Sequence, residues 1–475
     1  MNAKTGKPLK TRDLTTGSIP LHIRDIALPS SIGLFFQTMY NVVDSFWAGQ
    51  LSTVALAALG LSFPVFLLII ATGGGLSRGA SALIANAIGA KEPEKQKRFV
   101  AQSYSLGLTL AAVLTTTGFL TSTPIFRLMG AEGEYLAAAQ AYMVPIFCGS
   151  IFFIAASLSN AILIASGDSK TYGKVLVCGF LGNLVLDPWF MYGGYGLPAM
   201  GIAGIGWATV ILIMLGSSWM VWTVIQRGLL TFAPWQNLLP DWKVYGEILR
   251  QALPASFNIM SVALGFFVTT FFLKQFGESA VAAFGVTTRI EQIGLLTTVG
   301  LYSAIMALVG QNNGAGNFAR VHQTMRWCNR IGLGMNVTIS LLMFIFAEQL
   351  MRIFSSDEEV VSMGVTCLFA SDHADRVVLR DDIDAFGYAA GGEASDVRLI
   401  RIDLAESFAA SALPVVVRDG LPVGDRLGLV LRRSDECGHD GRNGGLCSNG
   451  VATVGRDGVA SRVVMSLVFA VRCFR

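Results

Sequence analysis

Residues Ala27 to Ala90 recur, without a gap, 225 positions further on as Ala252 to Ala315. Ala27-Leu28-Pro29 returns as Ala252-Leu253-Pro254, and Ala57, Ala58 and Gly60 return as Ala282, Ala283 and Gly285. Gly75-Leu76, Ala82-Leu83 and Gly89-Ala90 return as Gly300-Leu301, Ala307-Leu308 and Gly314-Ala315. A repeat of this length in apolar sequence requires two copies of one helical unit packed on each other. One chemical feature breaks the symmetry: Asp44, inside the first apolar stretch, corresponds to Thr269.

The repeat is membrane sequence. The chain is 53% hydrophobic and 14% charged, whereas a soluble domain carries about 25% charged residues. Crossing a hydrocarbon layer of about 30 Å takes about 20 apolar residues in a helix. Runs of that length or more lie at 20–48, 53–88, 98–121, 137–164, 172–192, 200–225, 246–273, 279–311 and 321–346, and another begins near 360. The expected fold is an all-α polytopic membrane protein of two related six-helix bundles, the second incomplete. Its expected parts are an arm (1–19), an N-lobe of six helices (20–225), a polar linker (226–245) and a partial C-lobe (246–370).

Charge placement orients the chain. The arm with Lys4, Lys7, Lys10 and Arg12, the segment KEPEKQKR (91–98), Lys170 with Lys174, Lys243 with Arg250, and Arg320 with Arg326 all fall on one side. The intervening loops are nearly free of positive charge, so the N-terminus is expected to be cytoplasmic, in a bacterial inner membrane. The polar opening reads as an arm, with no cleavable signal peptide. The net charge of +3 adds little. Seven cysteines without CxxC or metal-like spacing read as small apolar filler. His22, His322, His373 and His439 form no triad or metal pattern, and Gly73-Gly74-Gly75 lacks the Lys-Ser/Thr of a phosphate loop, reading instead as a site of close helix packing or a hinge. Nothing suggests an enzyme, a cofactor or a nucleic-acid partner.

The pattern fails after residue 370. By the repeat, the run at 137–164 should return at 362–389, but it stops at Ser371. From there to Arg475 the chain is rich in Asp, Arg and Gly, contains no Lys, Gln or Trp, and has no helical or strand periodicity. A soluble appendage would have to begin halfway through a membrane helix. The composition suits an out-of-frame tail (371–475), which resequencing around codon 370 would test, and a disrupted gene product without transport activity is one of the readings.

An acid in the middle of a bilayer is costly, roughly 2.5 to 3.5 kcal/mol on insertion scales, so it persists when lining a cavity, paired or protonated. Gln37, Tyr40 and Asp44 are spaced i, i+3, i+7 and share one helix face. Asn183 and Asp187 are spaced i, i+4 on another helix, with Pro188 next to the acid, and Thr209 sits at similar depth on the sixth. Two carboxyls in a poorly hydrated pocket cannot both ionise cheaply. A proton and a positively charged guest would then compete for one site, which is the logic of antiport. The alternative for Asp44 is an acid solvated at the interface or tied to a neighbouring hydroxyl; for Asp187 it is a cap before the Pro188 break. Arg78 is expected to snorkel toward the cytoplasmic face.

Several segments between Pro20 and Leu368 resemble the multidrug and toxic compound extrusion (MATE) family of secondary transporters. They are YNVVDSFWAGQLSTVALAALG (40–60), SALIANAIGAKEP, NLVLDPWF (183–190), GVTTRIEQI (285–293) and ALVGQNNGAGN (307–317). The resemblance implies twelve helices in two lobes related by a pseudo-two-fold, opening alternately to each side, and export of organic, often cationic, drugs driven by H⁺ or Na⁺. Tyr40, Asp44, Asn183, Asp187 and Thr209 match positions of the ion-coupling network that borders the drug cleft. Gln37, Tyr40, Asn160 and Asp187 match drug-contact positions. Asp44, Asn183, Asp187 and Thr209 also carry oxygens that suit Na⁺. Helix 7 (PASFNIMSVALG) has no acid, so coupling is expected in the N-lobe. The expected partners are drug-like organic cations and the bilayer, with the protein a monomer. A lipid-linked precursor flippase of the wider superfamily is the rival, disfavoured by the acidic cavity.

Overall fold

A computed structural model of the chain describes residues 11–194, 196–231, 239–273, 277–355 and 357–368, some side chains between 258 and 297 excepted. The expected tail (371–475) and residues 232–238 of the linker lie outside these residues, as do Cys437, Cys447 and Cys473. The described part is almost wholly helical: α1 (Ile19–Leu51), α2 (Thr53–Gly89), α3 (Pro93–Leu128), α4 (Gly133–Cys148), α5 (Ser150–Ala165), α6 (Lys170–Tyr192), α7 (Ile202–Gln226), α8 (Trp242–Leu273), α9 (Glu278–Gly314), α10 (Phe318–Ile345) and α11 (Ala347–Phe354). Residues 358–368 are helical as well. Among the described residues, six of these helices, and the bent pair α4–α5 taken together, are long and apolar enough to cross a membrane.

The repeat is visible in the elements. Thr53–Gly89, moved by 225, is Glu278–Gly314, which gives α2 and α9 the same bounds in the two copies. It is equally visible in the packing. A Cβ on Gly75 would run into Ser256 and the Ala252 carbonyl; one on Gly300 would run into Ser31 and the Ala27 carbonyl. Gly89 lies against the Gln311 carbonyl, and Gly314 against that of Asn86. Each contact is its counterpart shifted by 225 at both ends, so α2 packs on α8 and α9 as α9 packs on α1 and α2. Glycine at these positions lets helix backbones approach closely, as in membrane-helix interfaces generally. Gly73, against Ser157 of α5, and Gly75 show that the triple-glycine run serves close packing.

These contacts between the halves run from the middle of α2 and α9 to the end that carries Lys91, Lys170, Lys243 and Arg320, called here the basic end. There Asn313 donates to Asn86 (2.8 Å) and Gln311 donates to the Ala165 carbonyl (2.8 Å). The chain between the halves returns to α3: Gln102 donates to the Leu239 carbonyl (2.7 Å) and accepts from the Asp241 amide (3.0 Å). Arg98 pairs with Asp241, and that guanidinium, helped by the Lys243 and Val244 amides, holds the Asp241 carboxyl below the usual carboxylate range.

Two expectations need correction. The run 137–164 reads as one helix in the sequence but forms two, bent by 51° at Gly149. Pro145 weakens the helix from within, having no amide to donate. The Phe147 carbonyl, released at the bend, accepts from Thr115 of α3 (2.9 Å), whose hydroxyl also meets that of Ser150 (2.6 Å). Gly149 leaves room for Val210 of α7, whose Cγ2 would stand 2.6 Å from any Cβ there. The second correction concerns Arg78. Its guanidinium lies 5.2 Å over the ring of Tyr302 on α9, so it meets the other half instead of simply reaching for the basic end. The quadrupole of the aromatic face attracts the cation.

Candidate functional site

The site is set by how α1, α6 and α7 are brought together. α1 and α6 run parallel and touch at small residues: a Cβ on Gly33 would meet the Gly173 backbone at 3.0 Å, and one on Gly173 the Pro29 carbonyl at 2.8 Å. Asp44 lies eleven residues, three helical turns, beyond Gly33 and so returns to the same face. Asn183 lies a similar distance beyond Gly173. The faces meet again there, and Asn183 Nδ2 donates to Asp44 Oδ1 at 2.9 Å.

α7 is placed by the turn after α6. Gly193 (φ +76) ends the helix in a conformation that disfavours side chains, its amide still donating to the Trp189 carbonyl at 2.9 Å. The returning chain is stitched to α6 by bonds from Met200 to Phe190 and from Gly201 to Met191, both 3.1 Å. Gly204 then rests on the Phe190 backbone. Thr209, two turns into α7, arrives level with Asp187.

The result is a buried polar cluster about 10 Å inside the end opposite the basic one, judged from seven residues of helical rise. Asn183 and Asp187 are 0% exposed, Thr209 4% and Asp44 5%. Asp187 and Thr209 face Asp44, and Thr209 faces Tyr40. Both Asp187 oxygens and Asn183 Oδ1 are buried without a hydrogen-bond partner, as are the Thr209 and Tyr40 hydroxyls beside them. Unpaired buried polar atoms are rare because each forfeits its hydration. This group of oxygens is therefore suited to a proton or a small cation, and the donor set fits Na⁺, a hard ion that prefers oxygen ligands.

Five of the residues singled out from sequence are thus brought together: Tyr40, Asp44, Asn183, Asp187 and Thr209. Gln37, one turn before Tyr40, is exposed, and Asn160 on α5 is half-buried with its Oδ1 unpartnered; neither bonds to the two acids. The structure adds Tyr142 of α4, buried and within electrostatic reach of both Asp44 and Asp187. Its signal in the sequence was slight, one hydroxyl-bearing ring in the apolar run AQAYMVPIFC. The corresponding position to Asp44 in the second half, Thr269, is also buried with an unpartnered hydroxyl, so the second copy keeps a polar group there without its charge.

Fold and site together define a multi-pass helical membrane protein of two related halves, with its buried acids in one of them. The model of the MatE family matches residues 29–189 and 254–369, more than half of the chain. The chain belongs to the multidrug and toxic compound extrusion family, whose members are membrane transporters and not enzymes. The family match ends at residue 369, where the apolar pattern also ends.

Relatives and solved structures agree. The probable multidrug resistance protein NorM of Thermotoga maritima is 28% identical over 342 residues, 71% of this chain and 73% of that protein. The FAD transporter of Shewanella oneidensis is 28% identical over 341 residues, 71% and 75% of the two chains. The solved outward-facing conformation of a multidrug resistance MATE family transporter of the MOP superfamily superposes with a TM-score of 0.75 at 26% identity, covering 82% of this chain and 87% of that one. A MOP superfamily transporter from Pyrococcus furiosus, described as having a binding pocket of reversed polarity, gives 0.74 at 27% identity over 82% and 87%.

Proposed function

We propose that this chain is a secondary-active multidrug exporter, a cation-coupled antiporter that extrudes drug-like organic cations by alternating access. Asp44 and Asp187 are the coupling pair, with Asn183, Thr209 and Tyr40 completing the ion site. The observation that carries the reading is the buried meeting of two acids whose oxygens outnumber their donors. Both carboxyls ionised side by side out of water would be strongly unfavourable. One of them must hold a proton or share a cation, H⁺ or Na⁺, and a cationic drug competes for the same negative charge. Asp187 and Tyr40 border the drug site, with Gln37 and Asn160 as further contacts. The basic end faces the cytoplasm of a bacterium, following the positive-inside distribution, and the working unit is a monomer.

The test is drug resistance in cells that lack their own exporters. Asp44→Asn and Asp187→Asn should each abolish resistance while the protein remains in the membrane. Export retained by Asp44→Asn would overturn the coupling role.

A second reading is favoured by Arg78, a mid-span cation on α2 that reaches the opposite half through Tyr302. With a relative named as an FAD transporter, it supports an anionic aromatic cargo. Uptake of FAD into inverted vesicles, in preference to cationic dyes, would establish it. The flippase alternative is disfavoured by the acidic cluster and would be revived by binding of a polyprenyl-diphosphate sugar.

A further inference from the structure

Residues 11–18 precede the first helix and are mostly exposed, yet Leu14 among them is buried like core. Leu14 is 0% exposed and belongs to one buried apolar cluster with Ile164 of α5 and Leu308 and Val309 of α9. Its amide donates to Gln311 Oε1 at 3.0 Å, and its carbonyl accepts from Asn312 Nδ2 at 3.2 Å. Arg320 of α10 donates to the Thr16 and Gly17 carbonyls at 2.9 and 2.8 Å. On the other side, the Arg12 amide donates to the Ser166 carbonyl at 3.0 Å and its guanidinium pairs with Asp25 at 3.0 Å. The segment continues directly into α1, so it belongs to the first half, to which Arg12 ties it, while Leu14, Thr16 and Gly17 are held by the second.

The repeat supplies a counterpart. Moved by 225, Leu14 becomes Leu239 and Thr16 becomes Asp241. That segment leads into the second half's first helix and is held by Gln102 and Arg98 of α3, in the first half. Each half therefore begins with a segment that reaches across the basic end to the other. The two differ in depth: Leu239 is 50% exposed, whereas Leu14 is wholly buried. The second strap must cross in any case, being part of the connection between halves. The first has no such obligation.

We infer that residues 11–18 are a latch that holds the basic, cytoplasmic end closed and must detach before the interior can open to that side. The inference rests on the alternating-access reading but not on which ion is coupled. The bonds to Gln311, Asn312 and Arg320 cannot survive separation of α9 and α10 from α1, because their two ends lie in different halves. Loosening the latch shifts the population toward the cytoplasm-open state by whatever the latch contributes to the closed one.

The test is a distance measurement on the full chain in nanodiscs, with spin labels carried by unnatural amino acids at Glu94 and Phe318, both exposed at the basic end. The unaltered chain should give one dominant short distance with a minor longer one. Leu14→Asp should raise the share of the longer one by about tenfold, and Arg320→Gln should move the distribution the same way to a lesser extent. Should Leu14→Asp fail to accumulate, Arg320→Gln decides. A distribution unchanged in every variant that folds overturns the latch. Because the readout is a distance, the coupling mechanism can fail, with Asp44→Asn still exporting, and leave this result standing.

Discussion

The character of Asp44 and Asp187 is set by what surrounds them. A single Asn183 amide is bonded to Asp44, and nothing of comparable strength reaches Asp187. Tyr142 is buried within electrostatic reach of both acids on a different helix. Its loss should weaken the site without destroying it: Tyr142→Phe is expected to lower export about fivefold, the equivalent of about 1 kcal/mol for a hydroxyl. Transport by that variant at the level of Asp44→Asn would instead make Tyr142 indispensable, and an unchanged rate would remove it from the site. The acids and Asn183 could be anticipated, since a polar residue inside an apolar run is conspicuous and helical spacing puts it on a defined face. Tyr142 could not, because a tyrosine in such a run is unremarkable until the fold shows which helix it faces. The contact of Arg78 is hidden in the sequence for the same reason: Tyr302 lies more than two hundred residues away.

The helices themselves follow from their composition, and their bounds from caps and breakers. Ser52 accepts from the Ala55 amide to begin α2, and Asn317 from the Arg320 amide to begin α10. The break at Gly149 was hidden, because glycine is common in membrane helices and the bend depends on Val210 across the interface. The prediction at this scale is steric. Gly149→Val inserts a side chain where α7 already stands, an overpacking that costs about 1 to 3 kcal/mol. A lowered melting temperature of the purified protein should report it, with Gly179→Ala, where a Cβ meets nothing within 4 Å, as the neutral control. Equal melting of the two would mean that the bend does not rely on that contact.

At the scale of the molecule, the repeat is a statement about mechanism as well as descent. Gly89 against Gln311 and Gly314 against Asn86 are one contact made twice, so the packing of the halves at the basic end uses the same surface from both. Gly89→Leu and Gly314→Leu should therefore give matching defects, each preventing closure and lengthening the Glu94–Phe318 distance. A defect in only one would show that the symmetry of sequence is not a symmetry of function. The two-fold plan was readable from the spacing of the repeat. The straps were not, since Leu14 and Leu239 look alike in sequence and differ only in what the folded halves leave for them to fill.

The claim on which the rest depends is that ion and drug compete at Asp44 and Asp187. Adding a cationic dye to purified protein in weak buffer, with and without Na⁺, measures this directly. The account predicts that dye binding releases protons, or is weakened by Na⁺, and that Asp44→Asn abolishes the exchange. Dye binding that releases no proton, ignores Na⁺ and is unaffected by Asp44→Asn would contradict it.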